Sequence, residues 1–183
     1  MSKRRRTADK FYQEWHVKRE QAVVNTAIEF KLDIPRPLTG LPPGRYYAIE
    51  LHSIEYYVKF AYRNEAATCI HVSLSTSPRT GQLPFITNCG DPSNLWCFIE
   101  AFWGSTEHAS SIESVYTRDR NCARFTDDLG HGRLLIGDHL YLQIDSVNFS
   151  SELIEVQFAF EYTETSVNCA EYAQDLTAQL LVG

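Results

Sequence analysis

Between Phe125 and Tyr162 the chain reads FTDDLGHGRLLIGDHLYLQIDSVNFSSELIEVQFAFEY, and the alternation in this stretch leaves few folds open. Leu140, Leu142 and Ile144 alternate with Tyr141, Gln143 and Asp145. After a polar loop, Ile154, Val156, Phe158, Phe160 and Tyr162 alternate with Glu155, Gln157, Ala159 and Glu161. Successive side chains of a strand point to opposite faces, so a period of two predicts strands with one face in a core and one toward water. Antiparallel sandwiches are built from such strands, whereas parallel sheets need continuous apolar runs.

The same pattern recurs upstream. Ile28, Phe30, Leu32 and Ile34 alternate with Glu29, Lys31 and Asp33, and Pro35 and Pro37 close the segment. From Tyr46 to Tyr62 the apolar phase runs through Ile49 and Leu51, then shifts to Ile54, Tyr56, Val58 and Phe60. Such a shift predicts a β-bulge or a break into two strands. Ile70, Val72 and Leu74 mark a further strand, Trp96 to Trp103 one buried on both faces or in contact with a neighbour, and Ile112 to Thr117 a weaker one. The loop from Thr76 to Asn94 is longer than compact domains ordinarily carry, which points to function or an interface. About eight strands predict an all-β antiparallel sandwich. The eight-stranded jelly roll is one version, and periodicity does not choose between it and other sandwich topologies.

Both ends depart from this pattern. Residues 1–7 read as a disordered tail, and the stretch from Thr7 or Ala8 to Ala22 reads as a helix, with Phe11, Trp15 and Lys18 or Arg19 on one side. Residues 1–19 hold Lys3, Arg4, Arg5, Arg6, Lys10, Lys18 and Arg19 against Asp9 and Glu14, a charge of +5. That leaves −11 for the rest of a chain whose total is −6. A basic tip on an acidic body predicts a partner for the tip. Polyanions gain most from such a cluster, through release of condensed counterions. A nuclear-localisation signal and a solubilising tail fit the KRRR run equally well. Asn168 to Glu171 has capping-box spacing before Ala173, Leu176, Leu180 and Leu181, so a short C-terminal helix or an extended tail is expected. The expected organisation is a basic arm over 1–21, a sandwich over 22–165 and a tail over 166–183.

Few residues carry chemistry. Cys69, Cys89, Cys97, Cys122 and Cys169 contain no CxxC pair and predict buried free thiols, with no structural metal and no cofactor. No apolar run approaches the ~20 residues of a membrane span, and no apolar core follows the basic N-terminus as in a signal peptide. A reducing compartment is therefore expected, which makes Asn148-Phe149-Ser150 a chance glycosylation match. Asp127, Asp128, His131, Asp138 and His139 form the one cluster with metal or acid–base character. The same residues read as a turn, with Asp supplying local hydrogen bonds and Gly130 and Gly132 conformational freedom. The turn is the expected reading.

The segment from Asp127 to Ser146 resembles the pattern DDxGHGxLxxxDxLYxxxxS of capsid proteins from small circular single-stranded DNA viruses of the Rep-encoding, environmental type. Phe160-Glu161-Tyr162 and Glu171-Tyr172 stand where that family has an aromatic strand end and a short EY tail, and Ser77 to Gln82 is similar to one of its polar loops. The resemblance implies a single jelly roll that self-assembles into an icosahedral shell, located in the virion and, during assembly, in the host cell and its nucleus. The arm residues would contact a single-stranded DNA genome. Trp96, Trp103, Tyr172, Leu176 and Leu180 would be covered by neighbouring subunits. Two departures bear on genome binding: the arm is shorter in Arg than the family's, and the body is acidic. Repulsion between acidic bodies predicts assembly that depends on salt or divalent cations, with Asp119, Asp127, Asp128 or Glu residues at the seams as cation ligands. A carbohydrate-type binding module using Thr76 to Asn94 with Trp96 or Trp103 is the alternative, and a metal-dependent enzyme at Asp127, Asp128 and His131 stands third.

Overall fold

A computed structural model of the chain describes residues 12–21, 26–36, 40–62, 68–78, 93–102, 114–128, 130–147 and 154–180. In chain order these form β1 (Gln13–Gln21), β2 (Ala27–Asp33), β3 (Arg45–Tyr62), β4 (Thr68–Ser75) and β5 (Asn94–Phe102). They continue with β6 (Ser114–Arg124), β7 (Arg133–Leu135), β8 (His139–Val147), β9 (Ile154–Asn168) and α1 (Cys169–Leu180).

The strand order identifies the topology. Sheet A runs β1-β9-β3-β6, with β7 continuing the β6 edge along β3, and sheet B runs β2-β8-β4-β5. With β7 set aside, the first main strand pairs with the last, the second with the next to last, and so inward to β4 and β5, all antiparallel. A long hairpin of four nested pairs is closed into two sheets by the β3–β9 and β4–β8 ladders. This is the jelly-roll arrangement, which the alternation had left open.

The core lies between the sheets. Leu51, Ile54, Val58, Val156, Phe158 and Phe160 from sheet A meet Leu32, Ile70, Val72, Leu74, Leu140, Leu142 and Ile144 from sheet B. A smaller cluster of Ala48, Ile136 and Val167 sits where α1 begins, with Tyr172 packed on it. The phase shift in β3 is a bulge: against β9 the register slips between Leu51 and Ser53, so His52 is the extra residue. It turns the buried set from Ile49 and Leu51 to Ile54 and Val58. Asn168 caps α1, its side-chain oxygen accepting from the N–H groups of Ala170 (2.9 Å) and Glu171 (3.0 Å). Glu171 returns the bond to the Asn168 N–H at 3.0 Å, as the capping-box spacing predicts.

Two expectations are corrected. The segment predicted as a helix between Thr7 and Ala22 contains β1, whose nine residues pair with β9 from Gln13 opposite Tyr162 to Gln21 opposite Ile154. Trp15 and Val17 face inward while Glu14, His16 and Lys18 face out, and Trp15 stacks on Phe160 with ring centroids 4.7 Å apart. Over so short a segment both periodicities fit; the available sheet edge decides. The second correction concerns the thiols: Cys122 and Cys169 are exposed and Cys69 and Cys97 half-buried, while Cys89 lies outside the described residues. The described residues form nine strands rather than about eight: β1 was expected as a helix, β3 is one strand with a bulge rather than two, and the three residues of β7 are too few to show a period.

Candidate assembly and nucleic-acid surfaces

The expected nucleic-acid residues divide at the start of β1. Lys3, Arg4, Arg5, Arg6 and Lys10 lie outside the described residues. Lys18 and Arg19 are adjacent in a strand and therefore point to opposite faces. Lys18 faces out between Glu155 (2.8 Å) and Glu20 (2.9 Å), and its hydrogen bond to Glu155 raises its pKa. Arg19 is half-buried and donates from Nη1 to the Lys18 carbonyl at 2.8 Å. Both cations are held within the sheet, so the basic tip is concentrated in the residues before Tyr12.

The expected subunit contacts also divide. Trp96 is half-buried at the edge of the core, with its ring 4.4 Å from Tyr56 and 5.4 Å from Phe158. Trp103 lies outside the described residues, and so do the side chains of Leu176 and Leu180 in α1. Tyr172 stacks on Tyr46 with centroids 4.2 Å apart, and the Tyr46 hydroxyl lies 3.5 Å from Cys169 Sγ. This pair fixes the first turn of α1 to β3. Replacing Tyr172 by Ala is expected to cost about 1 kcal/mol through the lost ring pair, read as a lower thermal midpoint.

The turn after β6 is built as its sequence implies at Asp127 and Gly130, but Gly132 does not take a positive φ and is required instead by its close approach to the Leu51 backbone. The Asp127 carboxylate accepts from the His131 N–H at 2.8 Å and lies 3.2 Å from His131 Nδ1. The Asp127 N–H donates to the His131 carbonyl, and the Gly130 N–H, at φ +80°, to the Asp127 carbonyl. Asp138 and His139 are engaged elsewhere, with Arg36 and with Asp33 at 2.8 Å. The five residues therefore do not converge on one point. Among the described residues no group of three or more His, Cys, Asp or Glu side chains is arranged to hold a metal.

A feature the alternation did not reveal lies on the outer face of sheet B. Position parity assigns Ser73, Gln143 and Asp145 to the solvent side, yet each is at least nine-tenths buried. Ser73 stands opposite Gln143, and His71 opposite Asp145. The Ser73 Oγ, Gln143 Oε1 and Asp145 Oδ2 atoms have no hydrogen-bond partner among the described residues. Burial raises the Asp145 pKa, opposed by a hydrogen bond from the Ser146 N–H. A raised native pKa means the folded state holds its proton longer, so this group's contribution to stability is lost as pH rises from the ordinary carboxylate range through the native value. Asp145→Asn is expected to remove that fall in acid titrations of unfolding free energy. An unchanged profile would show that Asp145 is solvated.

No protein-family model matches the chain, and no curated protein matches it. Similar solved structures are polyomavirus VP1 proteins. VP1 of Trichodysplasia spinulosa-associated polyomavirus in complex with GM1 oligosaccharide has a TM-score of 0.43 and 11% identity, covering 88% of this chain and 96% of that one. VP1 of Merkel cell polyomavirus in complex with disialyllactose gives 0.44 and 11%, covering 89% and 98%. The VP1 pentamer of human polyomavirus 6 gives 0.43 and 10%, covering 92% and 98%. The jelly-roll assignment rests on this chain's own strand order.

Proposed function

We propose that this chain is a viral capsid protein that self-assembles into an icosahedral shell and contacts a packaged single-stranded DNA genome through its basic N-terminal arm. The observation that carries the reading is a complete jelly roll entered through a basic segment on an otherwise acidic body. Jelly rolls serve both shells and lectins, and fold alone assigns no function. The shell reading is favoured by the charge division and by the resemblance carried by Asp127 to Ser146. The carbohydrate-module reading loses one of its two platform residues, because the Trp96 ring is half-buried against Tyr56 and Phe158. The role is structural, with virion location and copies of the same chain as partners.

The arm that matters is residues 1–11, with Lys3, Arg4, Arg5, Arg6 and Lys10 as phosphate contacts. Each cation bound to single-stranded DNA contributes about −0.7 to the slope of log K against log salt, so five predict about −3.5. Filter-binding of a labelled oligothymidylate across a salt series measures this. A slope near zero would remove the arm from nucleic-acid binding.

A further inference from the structure

β1 ends the strand order of sheet A, and among the described residues only β9 pairs with it, so one long side of the strand is an open edge. Edge strands are ordinarily kept from pairing by being short, bulged, interrupted by proline or charged. β1 has nine residues, no proline and no register shift against β9. Charge is the device that remains. Trp15, half-buried, and Val17, buried, point to the inner side, while Glu14, His16, Lys18 and Glu20 are all exposed on the outer side. The order of those charges decides which strand the edge accepts.

That order fits a second copy of β1. In a two-fold antiparallel pair the opposed residues must lie on the same face, so the axis passes through one residue of each strand. Two such registers overlap over nine described residues. Centred on Val17, the pair runs from Gln13 to Gln21, and Glu14 meets Glu20 twice while Lys18 meets His16 twice. Centred on His16, it runs from Tyr12 to Glu20, and Glu14 meets Lys18 twice. Opposite charges across a sheet attract and like charges repel, which selects the His16 register. That register also sets Trp15 against Val17 twice on the inner side, an aromatic–β-branched pair that carries the core of one sandwich toward the next. Arg19 stands opposite Gln13, whose amide oxygen accepts from a guanidinium. Lys18 bonds Glu20 and Glu155 within the chain, but an ammonium carries three donors. Glu14 engages His16 through one carboxylate oxygen and is 71% exposed.

We propose that β1 is a docking edge for β1 of a second copy, in the register that sets His16 opposite itself and joins two copies of sheet A into one continuous sheet. The ladder from Tyr12 to Glu20 supplies about eight to ten main-chain hydrogen bonds. A single strand pair is small beside the ~800 Å² per partner of a standard interface. The dimer is therefore weak by itself and gains from the further contacts of a larger assembly. A self-complementary two-fold contact is one that closed symmetric assemblies use. Its place in a shell rests on the capsid reading; the pairing itself does not.

Two measurements on the full chain test this. With His16→Cys, oxidation by glutathione disulfide is expected to link residue 16 to residue 16, a bond that only two copies can make. Directly opposed Cα atoms lie ~4.5–5.5 Å apart, within disulfide reach. With Glu20→Cys no 20–20 link is expected, because eight residues of strand, ~27 Å, separate those positions in the pair. Peptide mass spectrometry reads both links and sets aside any formed by the exposed Cys122 and Cys169. No 16–16 link, or equal yields at the two positions, overturns the pairing. In sedimentation equilibrium, Glu14→Lys is expected to weaken dimerisation about tenfold, since both Glu14–Lys18 pairs become like-charged. General electrostatics predicts the opposite sign, because an added cation lowers the self-repulsion of an acidic body. The Val17 register also predicts tightening, because position 14 then faces Glu20. Unchanged or tighter dimerisation overturns the proposal. Both substituted side chains are exposed, and matching thermal midpoints check that the variants fold. Particles without a 16–16 link refute the pairing and leave the shell reading standing. A 16–16 dimer with no particles at any salt concentration refutes the shell and leaves the pairing standing.

Discussion

Deleting residues 1–11 is expected to strip nucleic acid from the protein and leave its thermal unfolding unchanged, whereas deleting residues 1–19 is expected to prevent folding. The difference lies in β1. Residues 13–21 make a nine-residue ladder with β9, the penultimate strand of sheet A. Trp15 covers Phe160, which is 1% exposed, and Val17 is 6% exposed. Removing Trp15 and Val17 takes away two apolar side chains, each worth about 1.5–3 kcal/mol when buried. It also exposes Phe158, Phe160 and the unpaired polar edge of β9, the kind of edge that templates aggregation. Against a total stability of about 5–15 kcal/mol, the loss removes the margin. Circular dichroism melts and nucleic-acid content by absorbance ratio report the two effects separately. A folded 20–183 fragment would contradict the assignment of β1 to the sandwich.

Gly132→Ala is expected to destabilise the protein by about 1–3 kcal/mol, the usual cost of forcing a group into filled space. A Cβ at Gly132 would lie 2.5 Å from the Leu51 carbonyl oxygen and 2.9 Å from its carbon. Backbone atoms are the obstacle, so no rotamer change relieves the clash. The contact joins two features separate in sequence. The turn after β6 rests on β3 at its bulge, where the Phe125 N–H also donates to the His52 carbonyl at 2.8 Å. Accommodating the methyl requires shifting Arg133, Leu134 and Leu135, whose register with β3 depends on that approach. Gly40 has open space around its Cβ direction and serves as the control, with Gly40→Ala expected to be near neutral. Equal midpoints for the two variants would mean that the turn is not packed on the bulge.

What the sequence made legible was whatever a period of two encodes. The β8 and β9 alternations place Leu140, Leu142, Ile144, Phe158 and Phe160 in the core as expected. The bulge at His52 was visible as a phase shift, because a bulge reverses which parity is buried. Sheet topology was not legible, since nested pairing depends on long-range closure that no local pattern records. β1 was misread because Phe11, Trp15 and Lys18 satisfy helical spacing, while the β9 edge that draws the strand is over a hundred residues away. The burial of Ser73, Gln143 and Asp145 escaped for a related reason: polar residues at alternate positions look solvated whether or not something covers them. At the proposed interfaces, the tyrosine at 172 gave no sign that its partner would be Tyr46 of the same chain.

The central claim, that the chain builds shells, is tested most directly by purifying the full chain and examining it by size-exclusion chromatography and negative-stain microscopy across salt concentrations. Closed particles of uniform diameter are predicted, favoured by salt as screening weakens repulsion between bodies (residues 12–183) of charge −10. A monodisperse monomer at every salt concentration, with or without added oligonucleotide, would contradict it.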